Sequence, residues 1–354
     1  VQVAQYLFKK LEIFMNIKKI ILSLALVAFG SSGFLINAEV NAAEFTAKIG
    51  HLESAKQPRH KTLEIVADLV KKRTNGAVEF KLFPSAQLGN ARQMNEGVQM
   101  GTLEATVSPA AFLGGFNSAI SVLDIPYLLP SNIDQARELR AGPFGAALLK
   151  SFDASGFTAV GWWPNGFKNF TSNKSLDDIS AFKGQRFRVM DSKILIEQFN
   201  SLGASAIALP FGELYTSLQN GVVDGQENPL TTIRFMKFYE VQKNLVVSEH
   251  GAMEDIVLFN PSWWGKLPAN YQNIIRSTFM EVIPGLEKRA IAGQKAALDH
   301  IKKSGINVRV ASSTERMKMR DMMFDDAKKA YIDRAKDTGS ALMSLYGSEY
   351  TRLT

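Results

Sequence analysis

The chain has 354 residues, which is long enough for two domains of ordinary size with a sizeable hydrophobic core. Hydrophobic residues make up 46% of the sequence and charged residues 21%, which excludes a disordered or collagen-like chain. The net charge is +7, but the basic residues are not clustered into a stripe, which argues against nucleic-acid binding. The sequence contains no cysteine, which excludes disulfides, thiolate metal sites and cysteine nucleophiles.

The segment from Met15 to Ala43 has the pattern of a secretory signal peptide. Lys18 and Lys19 precede an apolar run from Ile20 to Phe29, and small residues follow that are typical of a cleavage site. The apolar run is shorter than the ~20 residues that a membrane-spanning helix needs, so a membrane anchor is the less favoured alternative. We therefore expect a periplasmic protein whose mature form lacks both this segment and the upstream extension Val1 to Phe14.

Strands and helices are predicted to alternate from the start of the mature chain. A strand is expected over Ala47 to His51, followed by a helix over Pro58 to Arg73 with apolar residues at helical spacing. Alternation over residues 78–82 predicts a second strand, and a second helix is expected near Ala91 to Met100. Two strand–helix units in succession indicate an α/β sheet.

The same alternation recurs later in the chain and predicts a second α/β lobe. The expected strands are Thr158 to Trp162, Arg186 to Val189, Ala206 to Leu209 and Val222 to Asp224, and the expected helices are Ser192 to Leu202 and Gly212 to Asn220. A further strand is expected over Ile256 to Asn260. A long helical stretch from Pro268 to Ser304 should break at Pro284-Gly285. Because no flexible linker is evident, strands that cross between the lobes are the expected connection and hinge.

Arg188 is the residue with the strongest potential for binding a ligand. It lies at the carboxyl end of a short predicted strand, which is where ligands bind in open α/β sheets. Its planar guanidinium suits a bidentate contact with a carboxylate. From the pattern alone, a solvated surface arginine is the competing interpretation, because arginine is common at protein surfaces.

Signatures of catalysis and of metal binding are missing from the sequence. No nucleophile elbow, Walker loop or dinucleotide-binding glycine pattern occurs, and Asp224 with Glu227 is better explained as a turn than as an acid pair. The histidines show no metal-binding spacing: His51, His60, His250 and His300. We therefore expect no enzymatic activity, no cofactor and no metal; a periplasmic enzyme acting on organic acids is the alternative from another class.

Three motifs together resemble a known family. Phe83 to Gly89 (FPSAQLG), Lys183 to Val189 (KGQRFRV) and Gly221 to Pro229 (GVVDGQENP) resemble the solute-binding subunits of tripartite ATP-independent periplasmic (TRAP) transporters. A fourth stretch, Val122 to Tyr127 (VLDIPY), lies between the first and the second of these motifs, in the order that the family shows. The resemblance extends over about Phe45 to Val310.

The resemblance implies a fold and a binding site. The fold would be a two-lobed α/β periplasmic binding protein of the type II-like, Venus-flytrap kind, which closes around an organic acid and passes it to membrane subunits of the transporter. Arg188 matches the family's carboxylate-binding arginine. By the same comparison, Asn228 would hydrogen-bond the carboxylate and Phe211 would pack over the ligand; their alternatives are a turn asparagine and a core phenylalanine.

Two departures from the family pattern bear on the ligand and the hinge. Lys168 stands where several members carry a second arginine, which makes the chain more similar to the C4-dicarboxylate branch and suggests succinate, fumarate or malate. Lys168 would then face the far end of a short diacid. A 2-oxo acid or sugar acid, and a sensory rather than a transport partner, remain alternatives. Pro284 interrupts a stretch that is usually one helix in the family.

The first lobe is expected to complete the pocket. Gln57, Arg59 and Ser108 are the candidates, with ordinary polar loop residues as the alternative. The expected first lobe comprises residues 44–165 and 254–290, and the second comprises residues 166–253 and 291–354, after the upstream extension and signal peptide at residues 1–43. A monomer is expected.

Overall fold

A computed structural model describes the chain over residues 42–354. The expected upstream extension and signal peptide, as far as residue 41, lie outside the described residues. No helix within residues 42–354 is long and apolar enough to cross a membrane.

The first half of the described chain follows the predicted alternation. Its strands and helices are β1 (Phe45–Gly50), α1 (Pro58–Arg73), β2 (Val78–Phe83), α2 (Ala91–Met100), β3 (Ala105–Pro109), α3 (Ile133–Ala141), α4 (Pro143–Lys150) and β4 (Thr158–Ser172). The predicted bounds of α1 and α2 are confirmed. Pro58 starts α1 because its fixed φ suits a first helical turn. Asn90 and Gln93 form a capping box at the start of α2.

The second half contains the remaining elements. They are β5 (Arg186–Val189), α5 (Lys193–Asn200), β6 (Ser205–Ala208), α6 (Leu214–Gln219), β7 (Gly225–Pro229), α7 (Leu230–Phe235), β8 (Asn244–Phe259), α8 (Pro261–Lys266), α9 (Ala269–Glu281), α10 (Ile283–Lys302), β9 (Asn307–Val310) and α11 (Ser313–Leu353). The expected helix break is confirmed, because α9 ends just before Pro284 and α10 carries that proline in its first turn.

The predicted strand over Val222 to Asp224 is wrong. These residues form a turn in which Val222 is 48% exposed, and the strand begins at Gly225 instead. Two adjacent valines favour a strand by propensity, but β7 is fixed by its pairing with β4 and β5. A Cβ on Gly225 would lie 2.3 Å from the Thr171 carbonyl oxygen, so only glycine allows the strands to approach this closely.

Within residues 42–354, nine strands form one mixed sheet in the order β2-β1-β3-β8-β4-β7-β5-β6, with β9 beside β8. The long strands β4 and β8 pair antiparallel from Thr158 opposite Phe259 to Ser172 opposite Asn244. Strand β3 pairs with the end of β8, whereas β9 pairs with its beginning. The predicted α/β architecture with crossing strands is therefore confirmed.

The last helix, α11, packs along much of the molecule. Near its start, Met319 and Met323 belong to the hydrophobic cluster around Phe187. Further along, the Tyr331 and Tyr346 hydroxyls donate hydrogen bonds to the carbonyl oxygens of residues 119 and 128, at 3.1 and 2.6 Å. The assignment of residues 291–354 to the second lobe stays a prediction.

Candidate functional site

Arg188 is buried and held in a fixed orientation. Strand alternation places Phe187 and Val189 in the core and Arg188 on the opposite face, beside Gln226 of β7. The side chain is 1% exposed, and its Nε and Nη2 donate to the carbonyl oxygen of Leu209 at 2.9 and 2.8 Å. Arg188 is therefore not a solvated surface charge.

The charge of Arg188 has no ion-pair partner among residues 42–354. Burial lowers the pKa of Arg188 to about 10, and the more distant Glu227 carboxylate opposes this shift. The guanidinium therefore stays protonated at neutral pH. The rings of Phe112 and Phe211 lie 6.0 and 5.9 Å from its Cζ, near the limit of cation–π contact. Phe211 is 8% exposed, and both rings border a cavity of about 270 Å³.

Asn228 lies on the same face of the sheet as Arg188. Arg188 is in register with Gln226, and Asn228 is two residues further along β7. The Asn228 Nδ2 donates to Gln226 Oε1, and Gln226 Nε2 donates to Thr171 Oγ1 at 2.9 Å. Asn228 is thus a buried strand residue oriented by a hydrogen-bonded chain, not a turn asparagine.

Lys168 is buried and already paired. Its Nζ lies 2.7 Å from Glu227 Oε1, and both side chains are nearly inaccessible to solvent. Burial acts to raise the pKa of Glu227, but the charge of Lys168 and the contact with His250 hold it well below its usual range. Lys168 therefore belongs to a closed ion pair with Glu227, and its charge is neutralised before any ligand arrives.

His250 completes this network as a neutral ring. Burial lowers the pKa of His250 to about 4, although Glu227 opposes the shift. The ionised Glu227 can only accept, so the 2.7 Å contact requires a proton on His250 Nε2. The Nδ1 atom then accepts from the Ser248 hydroxyl at 2.8 Å, and the ring stacks on Phe170 with centroids 3.6 Å apart.

The first-half candidates Gln57, Arg59 and Ser108 are all buried, at 1%, 3% and 3% exposure. Arg59 forms ion pairs with Glu53 at 3.0 Å and with Asp255 at 2.8 Å. Burial raises the pKa of Asp255 to about 7, and Arg59 opposes the shift. These three residues are therefore not ordinary exposed loop residues.

Sequence reasoning missed the partners of these residues. Glu53 and Asp255 belong to no recognised motif. The loop from His51 to His60 was expected to contribute to the pocket, but the contact of His51 Nε2 with His60 Nδ1 at 2.9 Å was not predicted. The polar character of the loop after the first strand, where four of residues 51–57 are ionisable or carry an amide, was the available signal.

Two contacts connect the two halves of the site. Phe112, which follows Ser108 and the end of β3, reaches Arg188 as described above. The Thr232 hydroxyl, on the helix that follows Asn228, contacts Glu53 Oε1 at 3.4 Å. Glu53, the ion-pair partner of Arg59, thus contacts the helix that follows Asn228, and the segment after β3 lies near Arg188.

Comparison with known proteins identifies the family. The sequence profile described as "Bacterial extracellular solute-binding protein, family 7" matches residues 49–334. The chain belongs to this family. The family's members include the solute-binding proteins of TRAP transporters, which are two-lobed periplasmic proteins that bind small organic acids, so the predicted family and fold are confirmed.

Two relatives and one solved structure illustrate the similarity. A sialic acid-binding periplasmic protein of Vibrio cholerae is 33% identical over 275 residues, which cover 77% of this chain and 84% of the relative. A C4-dicarboxylate-binding periplasmic protein of Rhodobacter capsulatus is 30% identical over 282 residues, which cover 79% and 84%. The crystal structure of a TRAP periplasmic solute-binding protein from Desulfovibrio salexigens, with bound orotic acid, is 64% identical with a TM-score of 0.87 and covers 88% of this chain and all of that one.

Proposed function

We propose that this family 7 protein is a periplasmic binding protein, without enzymatic activity or cofactor, that binds a small organic anion through Arg188 for a TRAP transporter. The observation that carries the proposal is a buried guanidinium that is oriented by a carbonyl oxygen but has no ion-pair partner among the described residues. A buried charge is unfavourable unless it is paired, and a ligand carboxylate would supply the pair. Asn228 is proposed as the second residue that hydrogen-bonds the ligand carboxylate.

The ligand is proposed to be a planar monocarboxylate of the orotate type. The 64% identity to a protein crystallised with orotic acid supports this choice. Phe112 and Phe211, whose ring centroids lie 6.0 and 5.9 Å from the Arg188 Cζ, would pack against a flat ring. The ion pair of Lys168 with Glu227 removes the charge on which the C4-dicarboxylate expectation depended.

A C4-dicarboxylate such as succinate, fumarate or malate is the second candidate. It is supported by the relative from Rhodobacter capsulatus and by a solved structure from Sulfurospirillum deleyianum with bound succinate, which is 28% identical with a TM-score of 0.78. A sugar acid is a third, supported by a galactonate complex at 28% identity.

Calorimetric titration with orotate, succinate and galactonate tests the proposal. Orotate is expected to bind with a dissociation constant of about 1 μM or lower, corresponding to about −8 kcal/mol. Tighter binding of succinate would replace the first candidate with the second. Failure of every carboxylate to bind would contradict the proposed function. Reconstituted uptake of the ligand tests whether membrane subunits are the transport partner, because the uptake should depend on addition of this protein. Stimulation of a sensor protein without such uptake would contradict a role in transport.

A further inference from the structure

A chain of buried side-chain hydrogen bonds begins in the segment before β8 and ends at Asn228 on β7. Its first bond joins the Thr171 hydroxyl to Gln242 Oε1 at 2.8 Å, and its second joins Gln226 Nε2 to Thr171 Oγ1 at 2.9 Å. In the third, Asn228 Nδ2 donates to Gln226 Oε1. All four side chains are at most 5% exposed. We call Gln242, Thr171 and Gln226 the amide relay.

The direction of the relay is fixed at Gln242. Its Nε2 donates to the carbonyl oxygens of Val241 and Asp224, at 3.1 and 3.3 Å. Because a carbonyl oxygen can only accept, the atom that faces both of them must be the amide nitrogen. Turning the amide over would bring its oxygen against two acceptors and leave buried groups unpaired. The Gln242 oxygen therefore faces Thr171.

Every later donor in the relay follows from this first assignment. Thr171 has one hydroxyl hydrogen, which it must give to Gln242 Oε1, because that atom can only accept. Thr171 Oγ1 then has to accept at its second contact, which requires the nitrogen of Gln226. The Gln226 oxygen consequently faces Asn228 and accepts from its Nδ2. Gln242 thus determines the orientation of the Asn228 amide from three hydrogen bonds away.

This orientation suits an anion at Arg188. Thr171, Gln226 and Arg188 lie in register across β4, β7 and β5. The Asn228 nitrogen is directed back along β7 toward this row, and one of its two hydrogens has no partner among residues 42–354. A carboxylate at Arg188 could accept that hydrogen. An amide oxygen in the same place would repel the carboxylate and compete with it for the guanidinium.

We infer that Thr171 and Gln242 are positioning residues for ligand binding. Through Gln226, they hold the Asn228 amide with its nitrogen toward the carboxylate that Arg188 binds. The inference rests on the proposed function, in which Asn228 donates to that carboxylate. Neither positioning residue has to contact the ligand. Burial makes the relay effective, because no water is at hand to satisfy an amide that has turned over.

Replacing the relay's hydroxyl tests the inference. Thr171→Val keeps the shape of the side chain but can neither donate nor accept, so the Gln226 amide is free to turn. We expect it to weaken orotate binding about 3- to 10-fold, the range of one neutral hydrogen bond. Thr171→Ser keeps the hydroxyl and should bind like the parent protein. Calorimetry measures these affinities, with succinate as the probe if it proves to be the tighter ligand.

A double variant distinguishes positioning from a general structural effect. Asn228→Ala should weaken orotate about 10- to 150-fold, because it removes a hydrogen bond to a charged group. Adding Thr171→Val to Asn228→Ala should cost no further affinity, since no amide remains to be oriented. An equal loss from Thr171→Val in the parent protein and in Asn228→Ala would overturn the inference.

A matched control comes from another buried threonine. The Thr278 hydroxyl on α9 also donates and accepts, to the carbonyl oxygen of residue 274 at 2.7 Å and from Arg73 Nη1 at 2.8 Å. Thr278→Val should lower the melting temperature but leave the affinity for orotate unchanged. A loss of affinity equal to that of Thr171→Val would show that any buried threonine has this effect and would contradict the relay.

Gln242→Leu keeps the test open if Thr171→Val does not fold. It removes the acceptor that fixes the Thr171 hydrogen, so the same loss is expected, and this loss should again disappear in the Asn228→Ala background. Parent-like affinity in Gln242→Leu and Thr171→Val, beside a loss in Asn228→Ala, would overturn the relay and leave the proposed function intact. Binding that persists in Arg188→Ala would instead contradict the proposed function itself.

Discussion

At the scale of single residues, Arg188 offers the most direct test of ligand binding. Arg188→Ala is expected to weaken orotate and succinate about 100- to 4,000-fold, because a ligand carboxylate would be buried without its partner. Arg188→Lys keeps the charge but loses the planar fork, so an intermediate loss is expected. Arg186→Ala, at the exposed first position of the same strand, is the matched control. Calorimetry that finds parent-like affinity in Arg188→Ala would remove Arg188 from the site.

Lys168 should stabilise the fold more than it discriminates between ligands. Lys168→Met leaves Glu227 buried without its cation and is expected to lower the free energy of unfolding by about 3–5 kcal/mol. The pKa of Glu227 lies below its ordinary value of 4.5, so its contribution to stability is present above that pH and is lost as the pH falls. The difference in the free energy of unfolding between the parent protein and Lys168→Met should therefore be smaller at pH 4 than at pH 7. Urea unfolding at both pH values measures this difference.

A double variant is the control for this prediction. Adding Glu227→Gln to Lys168→Met removes the unpaired charge and should restore much of the lost stability. A change below about 1 kcal/mol in the single variant at pH 7 would indicate a solvated lysine and contradict the buried ion pair.

Asp124 should make stability depend on pH in the opposite direction. Its Oδ2 accepts from the Ser192 hydroxyl at 2.7 Å, and burial raises its pKa to about 7, against the opposing charge of Lys168. Because the folded state holds this proton more tightly than the unfolded state, the contribution of Asp124 to stability decreases from about pH 4 to pH 7.

The variant Asp124→Asn tests this dependence. Its melting temperature should rise relative to the parent protein as the pH is increased from 5 to 8, since the amide never becomes charged. Asp321→Asn, on the exposed surface of α11, should show no such trend. A difference between parent and Asp124→Asn that is constant with pH would contradict the raised pKa.

At the scale of elements, α11 contains a strained residue. Lys336, with φ 55° and ψ −134°, forms a kink that joins two helical segments within α11, and glycine adopts this conformation far more readily than other residues. Lys336→Gly is therefore expected to stabilise the protein by about 1 kcal/mol. Lys329→Gly, at an exposed position with helical geometry, should destabilise it by about 1 kcal/mol. Thermal unfolding distinguishes the two; destabilisation by both would mean that the residue at 336 is helical in solution.

At the scale of the whole molecule, export should remove the N-terminal segment. The charge and apolar pattern from Met15 to Ala43 predicts cleavage near Ala42, and Val1 to Phe14 should be absent from the mature protein. Mass spectrometry of the periplasmic fraction measures the mature N-terminus. Recovery mainly from the cytoplasm, or a mature protein that begins at Val1, would contradict the predicted localisation.

Much of the fold and the family could be predicted from the sequence by itself. Apolar periodicity, a proline start and an asparagine cap determine α1 and α2 locally, so their predicted bounds agree with the structure. Pro284 fixes the break between α9 and α10 in the same way, because it cannot donate a helical hydrogen bond. The motif Gly221 to Pro229 was specific enough to indicate the family.

Only the tertiary structure decided the environment of the binding residues. The start of β7 at Gly225 and the length of β8 depend on pairing with distant strands, which local propensity cannot contain. Likewise, the spacing of Lys168 and Glu227 along the chain does not reveal a 2.7 Å contact that neutralises both. Burial and ion pairing decide whether a charge is available to a ligand, and both arise from contacts between residues far apart in sequence, which only the folded chain brings together.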